Sequence, residues 1–393
     1  MRSILLKQHN RKRNWLSSVI CLVLISVLLL LPTGFENAGA GRLESEERVP
    51  ARIVSTDDST IKDTGLVRSG EQNCQVLLLG GSHKGETHRA GNLLNGSLEQ
   101  DKVFRPGETA LALVSLDEET VASVSLIDHY RISGEILLLL AFFALLILFA
   151  GWTGLRAMLS FILSVLSIWK VLVPLCLNGA NPILVGALMA ATLTVLIISL
   201  VFGFNKITLA ACVGAISGLI VTAALGIFST NAFHIHGAVM SFSESLLYSG
   251  FERLNLTQIF MASIFIGASG AMMDLSVDIA AAVNEVVAKR PDLSRFEAMM
   301  SGMRVGRAAM GTMTTTLLLA YSGSYIALLM VFMAQGTPMI NVFNYKYVAS
   351  EIIHTLVGSF GLVAAAPLTA AASGLLLAKG EHGAALPQAA AKE

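Results

Sequence analysis

Charge is scarce in this chain. Only 14% of its 393 residues are Asp, Glu, Lys or Arg, against about 25% in ordinary soluble domains. That scarcity, with 54% hydrophobic residues, excludes an ordinary solvated globular protein. Acidic and basic residues balance at 27 each, so no charge excess points to a nucleic-acid or acidic partner. Cysteine is scarce as well. Cys21, Cys74, Cys176 and Cys212 are scattered and form no C-x-x-C. Three lie in apolar segments, where cysteine acts as a small hydrophobe. Cys74 is alone in the polar segment, which excludes a disulfide within it. The signatures of catalysis are missing too. The glycines Gly80, Gly81 and Gly85 are not followed by Lys-Ser/Thr on a helix, so there is no P-loop. No G-x-S-x-G or H-E-x-x-H occurs, and no enzymatic activity and no cofactor are expected.

Long apolar runs are what the chain has instead. Spans are expected near 134–152, 155–175, 182–203, 207–228, 256–276, 309–333 and 347–377, most of them near the 20 residues that cross a bilayer core. The last is longer than a bilayer needs, so it tilts or ends early near Pro367. An eighth run, Trp15–Leu31, follows a basic N-terminus, RSILLKQHNRKRN. It fits a signal anchor, because it exceeds the usual apolar core of a cleaved peptide; Ala38-x-Ala40 keeps the cleaved alternative open. Either way the fold class is a polytopic α-helical membrane protein, with about eight spans or seven after cleavage.

The basic residues set an expected topology. Alternate loops carry Arg156, then Lys206, then Lys289, Arg290, Arg295, Arg304 and Arg307, whereas the intervening short loops carry only Arg253 and Lys346. Positive residues favour the cytoplasmic side, so the N- and C-termini are expected inside. The expected organisation is a basic cytoplasmic segment (1–14), an anchor helix (15–32), an extracytoplasmic domain (36–131), a helical membrane domain (134–377) and a disordered cytoplasmic tail (378–393). Residues 36–131 alternate short apolar stretches, as in QVLLLG and TALALVSL, with the turn signals Gly80-Gly81, Asn95-Gly96 and Pro106-Gly107. Five or six short strands at this spacing predict a small all-β barrel or sandwich.

The polar residues of the membrane domain are few and ordered. In GASGAMMDLSVDIAAAVNEV, Asp274, Asp278 and Glu285 project from one helix face. Lys289 and Arg290 suit the C-terminal end of that helix, Pro291 stops it, and Ser294-x-x-Glu297 is a capping box that starts the next. The turn at 292–293 predicts an antiparallel hairpin in which Asp278 faces Arg307, Asp274 faces Gly311 and Gly270 faces Thr315. Gly267 belongs to the same small-residue face, where helices pack closely. Arg304, Arg307, Gly311 and Thr315 continue a polar line on the second helix, and YSGSY (321–325) places small and aromatic groups further out. In the last span Glu351 and His354 lie one turn apart. A single i, i+3 carboxylate–histidine pair lacks the three or four ligands of a metal site, so no metal is assigned. Asp278 and Arg307 are expected at the interface, where a structural ion pair is the competing reading, and Asp274 deeper; ionisable residues at membrane depth mark pathways by default. The candidate ion or substrate pathway is therefore Asp274, Asp278, Arg304, Arg307, Glu351 and His354.

These stretches resemble the YibE/F-like family of bacterial membrane proteins. The resemblance rests on NPILVGALMA, GASGAMMDLSVDIAAAVNEV, MRVGRAAMGTMTTTLLLAYSGS and ASEIIHTLVGSFGLVAAAPLTA, and on GSHKGETHRAGNLLNGSLEQDKVFRPGE in the polar domain. It covers residues 45–377 and implies a multi-helix protein of the bacterial cytoplasmic membrane with a small β domain. It implies no established activity. His354 stands where the family pattern leads one to expect Arg, and Thr315 or Thr316 where it leads one to expect an amide.

Two functions are compatible with this sequence. One is a permease-like transporter of an ion or small solute. The other is an accessory or scaffold protein whose β domain binds an envelope partner. The expected partners are the lipid bilayer, and a second copy of the chain or an envelope component.

Overall fold

The computed structural model describes residues 17–35, 46–117 and 120–378. The expected basic N-terminus (1–14) and residues 379–393 of the expected tail lie outside these. The chain divides into two units, one of residues 34–149 and one formed by the described residues before and after it.

The first unit is built on a β-barrel. Its strands are β1 (Glu46–Asp57), β2 (Lys62–Asp63), β3 (Arg68–Leu78), β4 (Thr87–Asn95), β5 (Thr109–Asp117) and β6 (Thr120–His129). Their order is β1-β5-β6-β4-β3, and β3 pairs back to β1, closing a five-stranded barrel with β2 hung on its rim. All neighbours are antiparallel except β4 and β6. This is the connectivity of an OB-type Greek-key barrel. The alternation that predicted strands is the barrel's inside–outside rule: in TALALVSLD the buried positions are Ala110, Ala112 and Val114. Bulges on β1 between Ile53 and Ser55, and on β6 opposite Ser115/Leu116, give the local twist that closure needs.

A polar pair inside the barrel holds the loop that plugs it. Gln72 and Asn92 are both fully buried. Gln72 Nε2 donates to the Phe104 carbonyl at 2.9 Å, and the Phe104 N–H donates back to Gln72 Oε1 at 3.0 Å. Asn92 Nδ2 donates to the Lys102 carbonyl at 2.6 Å. These bonds pull the β4–β5 loop inward and drop Phe104 into the core, where 1% of its surface remains exposed. At the loop's start, Asp101 accepts from the backbone N–H groups of Asn95, Gly96 and Ser97 at 2.7–2.9 Å. Those donors hold its carboxyl below the usual carboxylate range. Helix α2 (Ile132–Ala150) follows directly.

The second unit is helical. It contains α1 (Ser17–Leu30), α3 (Trp152–Leu177), α4 (Pro182–Phe202), α5 (Lys206–Ala232), α6 (Ser243–Tyr248), α7 (Leu256–Lys289), α8 (Arg295–Ser322), α9 (Ile326–Ala334), α10 (Met339–Asn344) and α11 (Lys346–Leu377). Among the described residues six helices (α2, α3, α4, α5, α7 and α11) are long and apolar enough to cross a bilayer, and α8 with α9 would form a seventh if counted as one bent span. Over its described residues, Ser17–Leu30, α1 is apolar, and the rest of the expected 15–32 anchor lies partly outside the described residues. One expected span differs outright: the run expected at 309–333 is not one straight helix. It begins at Arg295 and breaks after Ser322. Helix α11, by contrast, continues through Pro367 to Leu377.

Helices α5, α7, α8 and α11 form the centre, and glycine sets their spacing. A Cβ on Gly218 of α5 would lie 2.7 Å from Ala365 Cβ of α11, and one on Gly214 would strike Thr369. On α8 a Cβ on Gly302 would lie 2.8 Å from Val283 Cγ2 of α7 and 3.1 Å from Ala370 Cβ of α11. Between apolar helices that both face lipid, such close approach and interhelical hydrogen bonds replace the hydrophobic drive. Thr369 Oγ1 on α11 supplies one such bond, to Ser276 Oγ on α7 at 3.0 Å. Arg156 has a structural role as well. It is buried, and its guanidinium donates to the Leu200 and Val201 carbonyls at 2.9 and 3.1 Å, satisfying the open C-terminal end of α4.

Candidate functional site

The polar residues of α8 and α11 meet where α8 breaks. One tight turn, Gly323–Tyr325, separates α8 from α9, and the two axes differ by 67°. Ser-Gly-Ser at 322–324 explains the place of the break, since these residues hold a helix poorly. Tyr321 and Tyr325 flank the break, and both face α11. The Tyr321 ring stacks on the His354 imidazole, with centroids 4.5 Å apart and planes at 23°. The Tyr325 hydroxyl points at the Glu351 carboxylate.

Helix α7 completes the site with backbone rather than side chain. His354 Nε2 lies 3.3 Å from the Ser263 carbonyl oxygen, a contact that requires the proton on Nε2. Gly267, one turn on, leaves the room: a Cβ there would lie 2.8 Å from Tyr321 Oη and 3.3 Å from His354 Nε2. Phe260 closes one side, with its ring centroid 6.4 Å from that of His354 and the planes at 67°. Within this mostly apolar setting, Glu351 Oε1 is buried and has no hydrogen-bond partner. A buried carboxylate oxygen without a donor is costly, and its place beside a broken helix makes it the most unusual group in the unit.

The acidic stripe on α7 lies elsewhere. Asp274, Asp278 and Glu285 are all exposed. Glu285 pairs along its own helix with Lys289 at 3.2 Å. The predicted hairpin is present and the Ser294–Glu297 capping box is formed. Its register is the expected one at Val283/Gly302 and at Ile279/Gly306, where a Cβ on Gly306 would lie 3.1 Å from Ile279 Cδ1. Yet the expected Asp278–Arg307 contact is not made. Register fixes height, not facing. Ile279 and Gly306 occupy the seam, so Asp278 and Arg307, each one residue away, are turned about 100° out of it. Arg304 and Arg307 are exposed on α8. A Cβ at Gly270 or Gly311 would meet nothing within 4 Å, and Thr315 Oγ1 bonds back to the Gly311 carbonyl of its own helix at 3.1 Å. The glycines that seat this hairpin are thus Gly302 and Gly306, while Gly267 makes room for the Tyr321–His354 stack.

The structure therefore brings together Glu351, His354, Gly267 and the YSGSY segment, and leaves Asp274, Asp278, Arg304 and Arg307 as exposed groups further along α7 and α8. The Ser263 carbonyl was not legible in the sequence, because a backbone acceptor leaves no trace in residue type. Among the described residues no group of three or more His, Cys, Asp and Glu side chains is placed to hold a metal ion.

A small β-barrel-like domain and a set of helices of membrane-crossing length, with ionisable residues among them, define the class: a multi-helix protein built for a bilayer. The YibE/F-like protein family matches residues 138–379, more than half of the chain, and the chain belongs to that family. Neither a curated protein nor a solved structure matches it.

Proposed function

We propose that this chain is a permease-like membrane transporter of a proton or small cation, with its site at the α8–α9 break. The observation that carries this reading is Glu351, whose buried Oε1 lacks a donor beside an interrupted helix. Interrupted helices at membrane depth free backbone groups that must be satisfied internally or line a cavity. A carboxylate there binds a proton or a small cation, and the Tyr325 hydroxyl adds a second polar group. His354, between Tyr321 and the Ser263 carbonyl, borders the site. Asp274 and Asp278, about 16 and 22 Å further along α7 from Ser263, with Arg304 and Arg307 on α8, form the far end of the path on the expected cytoplasmic side.

The test is flux in sealed proteoliposomes carrying the full chain, with an entrapped pH dye and an imposed potassium diffusion potential. Wild type is expected to acidify or alkalinise the lumen according to the sign of the potential, and Glu351→Gln to abolish the signal. If Glu351→Gln moves protons as fast as wild type, Glu351 is not in the path.

The second reading, an accessory or scaffold protein, is favoured by a different observation. Leu66 and Leu98 are 84% and 79% exposed on loops at one edge of the barrel, as a partner-binding rim would be.

A further inference from the structure

Alongside the Glu351 site, an amphipathic groove of about 520 Å³ runs between α5 and α11. Its two ends differ in chemistry. At one end lie His234, Asn344 and Lys346; the rest of the wall is mainly apolar, down to Leu225 and Phe360. No acidic residue lines it. Lys346 opens α11 and is exposed, with its ammonium 5.2 Å from the Tyr347 ring centroid. His234 lies just past the end of α5. Its φ is +53°, and it closes that helix through Ile235 N–H to the Thr230 carbonyl at 3.0 Å. Glycine is the usual residue at such a left-handed cap. Here an imidazole stands at the groove mouth at a conformational cost that glycine would avoid.

The dimensions fit one leaflet. Lys346 and Phe360 are 14 positions apart on one helix, about 21 Å. Half of a bilayer's hydrocarbon core is about 15 Å, and the ends of membrane-length helices reach headgroup level. The polar end therefore sits with headgroups, and the apolar wall runs to the acyl region. Leu356 and Phe360 are more than half exposed, so a chain can enter from the side. We infer that this groove binds one acidic phospholipid, its phosphate on Lys346 and His234 and an acyl chain along Leu356 and Phe360. Charge decides the occupant. A zwitterionic lipid gains the same apolar contact but less from the Lys346 ammonium, which no acidic lining residue offsets.

The experiment is native mass spectrometry of the full chain in detergent, titrated with phosphatidylglycerol or with phosphatidylcholine. One phosphatidylglycerol per chain is expected to be retained in preference to phosphatidylcholine. Lys346→Glu is expected to weaken that retention roughly tenfold or more, and Leu356→Trp to block it by filling the groove. Should Lys346→Glu fail to elute as a single folded species, Lys346→Gln carries the same expectation with a smaller drop. Equal retention of the two lipids, or phosphatidylglycerol retention unchanged in the Lys346 variants, overturns the inference. So does a disulfide between copies carrying Leu356→Cys without retained lipid, which would make this face an interface between chains. None of these readouts depends on transport, so the inference stands or falls apart from the Glu351 site.

Discussion

The His354 imidazole of α11 lies against the Tyr321 ring of α8, with centroids 4.5 Å apart, and Gly267 of α7 is the residue that gives both rings room. Three helices thus depend on the absence of one side chain. Gly267→Val is expected to displace Tyr321 and His354 and to cost about 1–3 kcal/mol by overpacking. Thermal unfolding of the detergent-solubilised chain measures it. An unchanged midpoint would mean that the rings are free to move.

Two other glycines on one helix separate close packing from open space. Gly302→Ala places a Cβ against Val283 and Ala370 and is expected to lower stability. Gly311→Ala meets nothing and is expected to leave it unchanged, or to raise it by up to about 1 kcal/mol through helix propensity. Comparing the two melting temperatures checks whether the α7–α8–α11 contact sits where it is described.

In the barrel, Gln72 ties the Phe104 loop to β3 from a fully buried position. Gln72→Ala removes both bonds to Phe104 and leaves buried backbone groups unpaired. Destabilisation of about 2–4 kcal/mol is expected, read as lost hydrogen-exchange protection across residues 100–105. Protection equal to wild type would contradict the role given to Gln72.

The Asp101 turn gives a pH dependence of known sign. Three backbone donors, the Asn95 N–H foremost, lower the Asp101 pKa in the fold. Its contribution is complete above the unfolded aspartate value of about 3.9 and is lost as pH falls through the lower folded value. Protection of the 95–97 amides, corrected for intrinsic exchange, is expected to drop below about pH 4. Asp101→Asn is expected to lack that step.

Much of this architecture was legible in the residues because it follows from local rules. Apolar length marked the helices long enough to cross a membrane, TALALVSL alternation marked a strand, and Ser294-x-x-Glu297 marked the start of α8. The hairpin register also followed, since Pro291 and the capping box fix the turn. What did not follow was facing. Asp278 and Arg307 share a height but not a seam, because Ile279, Val283, Gly302 and Gly306 took it. The apolar run through YSGSY was continuous enough to suggest one straight span, and only packing against Glu351 and His354 makes sense of the break. The closure of the barrel through β1–β3 pairing is non-local and has no signature in any single strand.

On the proposed function, the α8–α9 break beside Glu351 forms part of an aqueous path. The most direct measurement is thiol labelling in sealed vesicles, with a charged, membrane-impermeant methanethiosulfonate reagent. It uses a chain whose four native cysteines are replaced by alanine. Cysteines are placed singly at Glu351 and Tyr325, and at Leu356 on the exposed apolar side of α11. An aqueous path there exposes positions 351 and 325 to the reagent, so both are expected to react and 356 is not. Positions 351 and 325 reacting no faster than 356 would contradict it.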